Sequence, residues 1–156
     1  MIKIQTHSYE ETVEFGKKIG AVLESGDIIS LSGDLGTGKT AFTNGIAKSL
    51  GIKSYITSPT FTLVNEYEGL IPLYHFDVYR ISDPDEMFDI GFDEYINGKG
   101  ITIIEWGEQI EDILPEDIIK IEIQKNLSEG LDIREITVEF IGEKYFSYQD
   151  KIMEEK

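Results

Sequence analysis

Residues Gly33-Asp34-Leu35-Gly36-Thr37-Gly38-Lys39-Thr40 fit the pattern G-x-x-x-x-G-K-[ST], at a point where a strand should give way to a helix. No other stretch restricts the possible folds as much. A backbone that wraps a bulky polyanion must turn its N–H groups inward, and glycines at 33, 36 and 38 permit that approach without Cβ clashes. Lys39 supplies a mobile charge for phosphate, and Thr40 offers a hydroxyl to Mg²⁺. The helix that follows, with Ala41 in its first turn, turns its positive end to the anion.

The flanking sequence supplies the required context. Asp27-Ile28-Ile29-Ser30-Leu31-Ser32 reads as a short apolar strand entered from the turn Ser25-Gly26-Asp27. From Thr40 to Leu50, Phe42, Ile46, Ala47 and Leu50 recur at helical spacing, and Gly51 is a natural helix stop. Upstream, Ser8 with Glu11 three residues on has capping-box spacing, and Val13, Phe15, Ile19, Val22 and Leu23 form the apolar face of a first helix. Tyr9 and Thr12, at its start, are within reach of a bound nucleotide, although a surface-helix role is the default for either.

Composition limits the rest. A chain of 156 residues is one domain of ordinary size, with 1–142 as the nucleotide-binding unit and 143–156 as a charged tail read as one helix. No run approaches the roughly 20 apolar residues of a membrane span. The first residues lack a signal-peptide h-region, so a cytoplasmic protein without membrane contact is expected. Cysteine is absent, which excludes disulfides, thiolate catalysis and Cys-ligated zinc. A formal net charge of −16 repels nucleic acid as a whole-molecule field, so any RNA would be held by another protein; solubility is the blander reading of the charge.

Beyond the loop, Phe61 to Tyr67 and Leu70 to Asp77 read as a hairpin turning at Glu68-Gly69. Asp83-Pro84-Asp85-Glu86 reads as a helix start with Asp83 at the N-cap, Gly91 as its stop, and Asp93 to Ile96 as a further turn. Ile101-Thr102-Ile103-Ile104-Glu105 is an apolar strand ending in an acid, similar to a Walker B strand. Ile118 to Gln124 and Glu135 to Ile141 alternate as antiparallel edge strands should. Together these predict an α/β three-layer domain of the P-loop NTPase-like kind, with a mainly parallel central sheet and antiparallel edge strands.

Hydrolysis needs an acid near the metal and a group that orients water. Glu105 and Asp77, both at strand ends, are the candidates: Glu105 for the metal, Asp77 for water or the metal shell. Glu108 is placed for a base or ribose contact, though an acid so soon after a strand is mostly solvated. Trp106 suits core packing at least as well as nucleotide contact, and His75 reads as structural. Ser58, Thr60 and Thr62 around Pro59 either sense phosphate or merely connect. The patterns N-K-x-D and D-x-x-G are missing, which disfavours a GTPase, and without H-R-D or D-F-G there is no protein kinase. Arginine occurs only at 80 and 134, too few for the phosphate clamp of a small-metabolite kinase, the runner-up enzyme.

Four blocks in this order resemble one family, the bacterial TsaE (YjeE) proteins of tRNA threonylcarbamoyladenosine biosynthesis. They are the loop 33–40, Ser58-Pro59-Thr60-Phe61-Thr62-Leu63-Val64 with Tyr67, His75-Phe76-Asp77-Val78-Tyr79-Arg80, and Ile104-Glu105-Trp106. The resemblance runs to about Ile141. It implies an ATPase that works with the proteins TsaB and TsaD, touching tRNA only through them, and weak on its own. It assigns Lys39 to phosphate, Thr40 and Glu105 to Mg²⁺, and Asp77 to the hydrolytic water. It puts Tyr9, Glu108 and Arg134 beside the base or ribose, and makes the Ser58-Pro59-Thr60 loop switch-like. Gly107 departs from the proline that many relatives carry, which would loosen the turn. A nucleotide-gated binding module, with ATP as a conformational ligand, is the alternative of a different class.

Overall fold

The computed structural model describes residues 1–34, 36–59 and 62–154. Its elements run β1 (Ile2–Thr6), α1 (Tyr9–Val22), β2 (Ile28–Ser32), α2 (Lys39–Ser49), β3 (Val64–Tyr67), β4 (Leu73–Asp77), α3 (Glu86–Asp89), α4 (Phe92–Ile96), β5 (Ile101–Glu105), a 3₁₀ turn (Gly107–Ile113), β6 (Ile118–Lys125), β7 (Arg134–Ile141), a second 3₁₀ turn (Glu143–Tyr145) and α5 (Phe146–Glu154). The strands form a seven-stranded sheet in the order β1-β7-β6-β2-β5-β4-β3. β6, β2, β5 and β4 run parallel, whereas β1 and β7 on one side and β3 on the other pair antiparallel. β6 is therefore interior, bonded parallel to β2 and antiparallel to β7.

Layering follows from strand alternation. Ile29, Leu31, Ile101, Ile103, Ile119 and Ile121 point to one face, where α1, α2 and α5 cover them with Phe15, Ile19, Phe42, Ile46 and Tyr148. Ile28, Phe76, Ile104 and Ile118 point to the other, against Met87, Phe92 and Ile110 from α3, α4 and the first 3₁₀ turn. β5 is buried along its whole length, as a strand covered on both faces must be, which explains its nearly unbroken apolar run.

Three boundaries differ from expectation. The hairpin is shorter on both arms: Leu63 adopts a left-handed conformation (φ 72°), so pairing starts only at Val64, and residues 68–72 form a longer connection. Phe61, where that arm was expected to begin, lies outside the described residues. α3 starts at Glu86, not after Asp83, because the Asp83 carboxylate accepts from the Asp85 N–H and holds residues 83–85 as a turn. Finally, β1 had no counterpart in the sequence reading, although Ile2, Ile4 and Thr6 alternate across it.

The tail after 142 packs against the body. Tyr145, Tyr148 and Ile152 are buried in the core between the sheet and α1. The Tyr148 hydroxyl stands 2.9 Å from Asp27 Oδ2 and 3.1 Å from Glu24 Oε2, and Lys144 Nζ 3.0 Å from Asp27 Oδ1. The Ile28 N–H donates to the Tyr145 oxygen.

Candidate nucleotide-binding site

The glycine loop leaves the C-terminal end of β2 and closes on α2, whose N-cap, Gly38 (φ 106°), provides no side-chain acceptor. The first-turn N–H groups of α2 therefore open towards an anion. Gly33 allows the loop to leave the sheet: at φ 151° a Cβ there would meet the Ile123 carbonyl and the Thr37 Oγ1. Thr37 is buried and donates to the Asp34 carbonyl, fixing the loop from within. Leu35 lies outside the described residues.

A cavity of about 530 Å³ opens over the loop, in the range of small-ligand sites. Gly36 to Ala41 form its floor. Asp77 and Glu105 close one end with Trp106 and Ser58, and Ser8, Tyr9, Thr12, Asp132 and Arg134 close the other. Asp77 and Glu105 are register partners at the ends of β4 and β5, so their side chains share one face. Both are buried. Asp77 Oδ1 accepts from the Tyr79 N–H at 3.0 Å, and Ser58 Oγ stands 3.5 Å from Oδ2.

Lys39 is the hub. Its Nζ donates to the Gly33 carbonyl at 2.7 Å, lies 4.2 Å from the centre of the Trp106 ring, and is 3.9 Å from Glu105 Oε1. Trp106 takes a left-handed conformation (φ 64°) that turns its ring back over the lysine, where Tyr79 packs against it. The tryptophan thus packs and lines the cavity at once.

The far wall comes from α1 and β7. Thr12 is buried and shares a hydrogen bond with Thr6 at 2.7 Å, and the Tyr9 hydroxyl accepts from Asn44. Arg134 donates through Nε to the Thr37 carbonyl at 2.8 Å and through Nη1 to the Leu131 carbonyl, tying β7 to the loop. Ser8 and Asp132 complete this wall and were missed in the sequence, where nothing but the β6–β7 turn brings Asp132 near the loop. Glu108 is a correction. The turn at Trp106 starts a 3₁₀ helix that carries Glu108 to the other side of the tryptophan, where it is exposed in a separate depression with Ser30, Ser32 and Lys120. Gly107 packs against Ser30, leaving no room for a Cβ there without displacing the serine side chain, so the turn is tight. Thr62 bonds Asn65 away from the cavity, and Thr60 lies outside the described residues.

A glycine loop on a helix N-terminus, opposed by two strand-end acids at the carboxyl edge of a parallel sheet, defines the class: a P-loop NTPase-like α/β/α domain. The family model for Threonylcarbamoyl adenosine biosynthesis protein TsaE matches residues 6–135. This chain belongs to the TsaE family. It is 45% identical to the tRNA threonylcarbamoyladenosine biosynthesis protein TsaE of Bacillus subtilis, over 92% of this chain and 89% of that one. It is 44% identical to the protein of the same name from Treponema pallidum, over 85% of this chain and 96% of that one. A crystal structure of Bacillus subtilis YdiB superposes with a TM-score of 0.82 at 39% identity, covering 98% of this chain and 94% of that one.

Proposed function

We propose that this chain is the ATP-hydrolysing accessory protein of tRNA threonylcarbamoyladenosine synthesis, acting in the cytoplasm with TsaB and TsaD and reaching tRNA only through them. The observation that carries the reading is the convergence of Lys39, Asp77 and Glu105 on one loop cavity in a TsaE-family chain. The fit to Mg²⁺ rests on the donor set. Among the described residues no three His, Asp or Glu side chains gather into an all-protein metal site, whereas one hydroxyl and one carboxylate beside a phosphate loop suit an ion that takes most of its ligands from phosphate and water. Thr40 and Glu105 would hold it, and when bound it supplies charge neutralisation on the phosphates.

Each side chain then has a defined task. Lys39 exchanges the Gly33 carbonyl for phosphate oxygens, a trade of a neutral for a charge-assisted hydrogen bond. Asp77, held through Oδ1 by the Tyr79 N–H, keeps Oδ2 available to orient water and receive its proton. Tyr9, Thr12 and Arg134 flank the base or ribose. The −16 charge keeps the chain off bare RNA, in keeping with access through partners.

The test is ATP hydrolysis by the purified chain, alone and with the TsaB–TsaD pair, with Lys39→Ala as blank. Partner-dependent stimulation is expected; its absence would overturn the reading. A second reading, a nucleotide-gated binding module, draws on the link from Ser58 to Asp77, which couples the 57–59 loop to the phosphate side of the cavity. It predicts that Glu105→Ala retains partner binding with a non-hydrolysable analogue while turnover proves dispensable.

A further inference from the structure

Glu105 has one neighbour that phosphate and metal chemistry leave unexplained. His75, in the middle of β4, is fully buried, and its Nε2 lies 2.6 Å from Glu105 Oε2. In the parallel pairing of β4 with β5, His75 is opposite Ile103 and Asp77 opposite Glu105, so the imidazole is a diagonal neighbour of the acid on the same face. Its other nitrogen, Nδ1, has no hydrogen-bond partner among the described residues.

That asymmetry selects a tautomer. A proton on Nδ1 would be an unpaired donor in the core while the Nε2 lone pair faced a carboxylate; a proton on Nε2 makes the short bond and leaves only a lone pair unused. The neutral imidazole therefore donates from Nε2. Glu105 Oε2 is committed to it, and Oε1 is turned to Lys39 Nζ at 3.9 Å, on the cavity side. Rotating the carboxylate to any other setting breaks the bond to His75.

We propose that His75 is a positioning residue for Glu105: it locks the carboxylate rotation so that one oxygen, already oriented, faces the metal position beside Lys39 and Thr40. This role rests on the ATPase reading. Groups that orient a metal ligand typically change metal affinity about 10–100-fold when removed.

The experiment follows the fluorescence of Trp106, the single tryptophan, in the full chain with a non-hydrolysable ATP analogue, first in EDTA and then on titration with Mg²⁺. In His75→Leu the Mg²⁺ concentration at half-effect should rise about 10–100-fold, with metal-free nucleotide binding unchanged. His75→Gln, whose side-chain amide can donate from the Nε2 position, should recover most of the loss. A His75→Leu chain that melts at the wild-type temperature and keeps the wild-type Mg²⁺ half-point overturns the role. Should substitutions at 75 prevent folding, the wild-type imidazole ¹⁵N spectrum decides without them: Nε2 protonated is expected, and an Nδ1-protonated ring overturns the role. A wild-type chain with no Mg²⁺-dependent nucleotide binding overturns the ATPase reading and the role of His75 with it.

Discussion

Lys39 shows how much of this site is settled by single residues. With no phosphate to bind, its ammonium donates to the Gly33 carbonyl and rests on the Trp106 ring, two weak acceptors that a polyphosphate displaces. Lys39→Ala should therefore weaken ATP binding by about 100-fold or more while the chain still folds, checked by nucleotide titration beside a melting curve. Asp77→Asn separates binding from chemistry. It keeps the side-chain oxygen facing the Tyr79 N–H but removes the charge that receives a proton, so turnover should fall by about 10²–10⁴-fold with nucleotide affinity little changed, read as a kcat loss without a KM rise. Lys39, Thr40, Asp77 and Glu105 were legible because motif and strand end fix position together. His75 was legible only as a side chain in a strand, since alternation says which face a residue takes and not which acid lies diagonally across the next strand. Glu108 failed for a local reason: one left-handed residue at Trp106 redirects everything after it, and nothing in the sequence marks a tryptophan for that conformation.

At the scale of elements, the site is held in place by the packing of α1 on α2. The two helices touch backbone to backbone, since a Cβ on Gly45 would run into the Val13 carbonyl and sit 2.8 Å from Gly16 Cα. Gly45→Ala leaves helix propensity improved by about 1 kcal/mol yet forces the helices apart, and overpacking of this kind costs about 1–3 kcal/mol or more where the obstacle is backbone. The expected net result is a lower melting temperature, with weaker nucleotide binding as α2 and its N-terminal cradle shift. A melting temperature at or above wild type would show that the contact is not tight. Most of these elements were readable from spacing. The apolar face of α1, its Ser8 cap with the Glu11 N–H donating to it, and the stop of α2 before Gly51 all stand as read. The hairpin boundaries were not, because the strands were inferred from alternation, and alternation continues through Thr62 and Leu63, where the backbone turns left-handed.

For the whole molecule, the least legible feature was the C-terminal segment, whose charged composition hides the spacing Tyr145, Tyr148, Ile152 that buries one face of α5. The same segment closes over Asp27, fully buried where the chain enters β2, at the end of the strand opposite the phosphate loop. Burial, then the bond to Asp27 and the charges of Asp27 and Glu24, push the Tyr148 phenol above its ordinary range; burial and the Asp27 charge do the same for Tyr145. Burial opposes the Lys144 charge, but its bond to Asp27 and the charge of the Asp27 and Tyr145 groups outweigh it, so its ammonium is also held upward. In all three the folded state keeps its proton to higher pH than the unfolded chain does. Above the unfolded tyrosine value, about 10, folding therefore loses stability with each further rise of pH, whereas below it the contribution is fully present. Melting temperatures should be flat with respect to these groups from pH 7 to 9 and fall from about pH 10 upward. Tyr148→Phe should start lower by about 1–3 kcal/mol at pH 8, since Asp27 and Glu24 lose their donor, and then fall less steeply in alkali because its largest titration is gone. Equal slopes for the two proteins above pH 10 would show that the phenol is not what closes α5 onto the body.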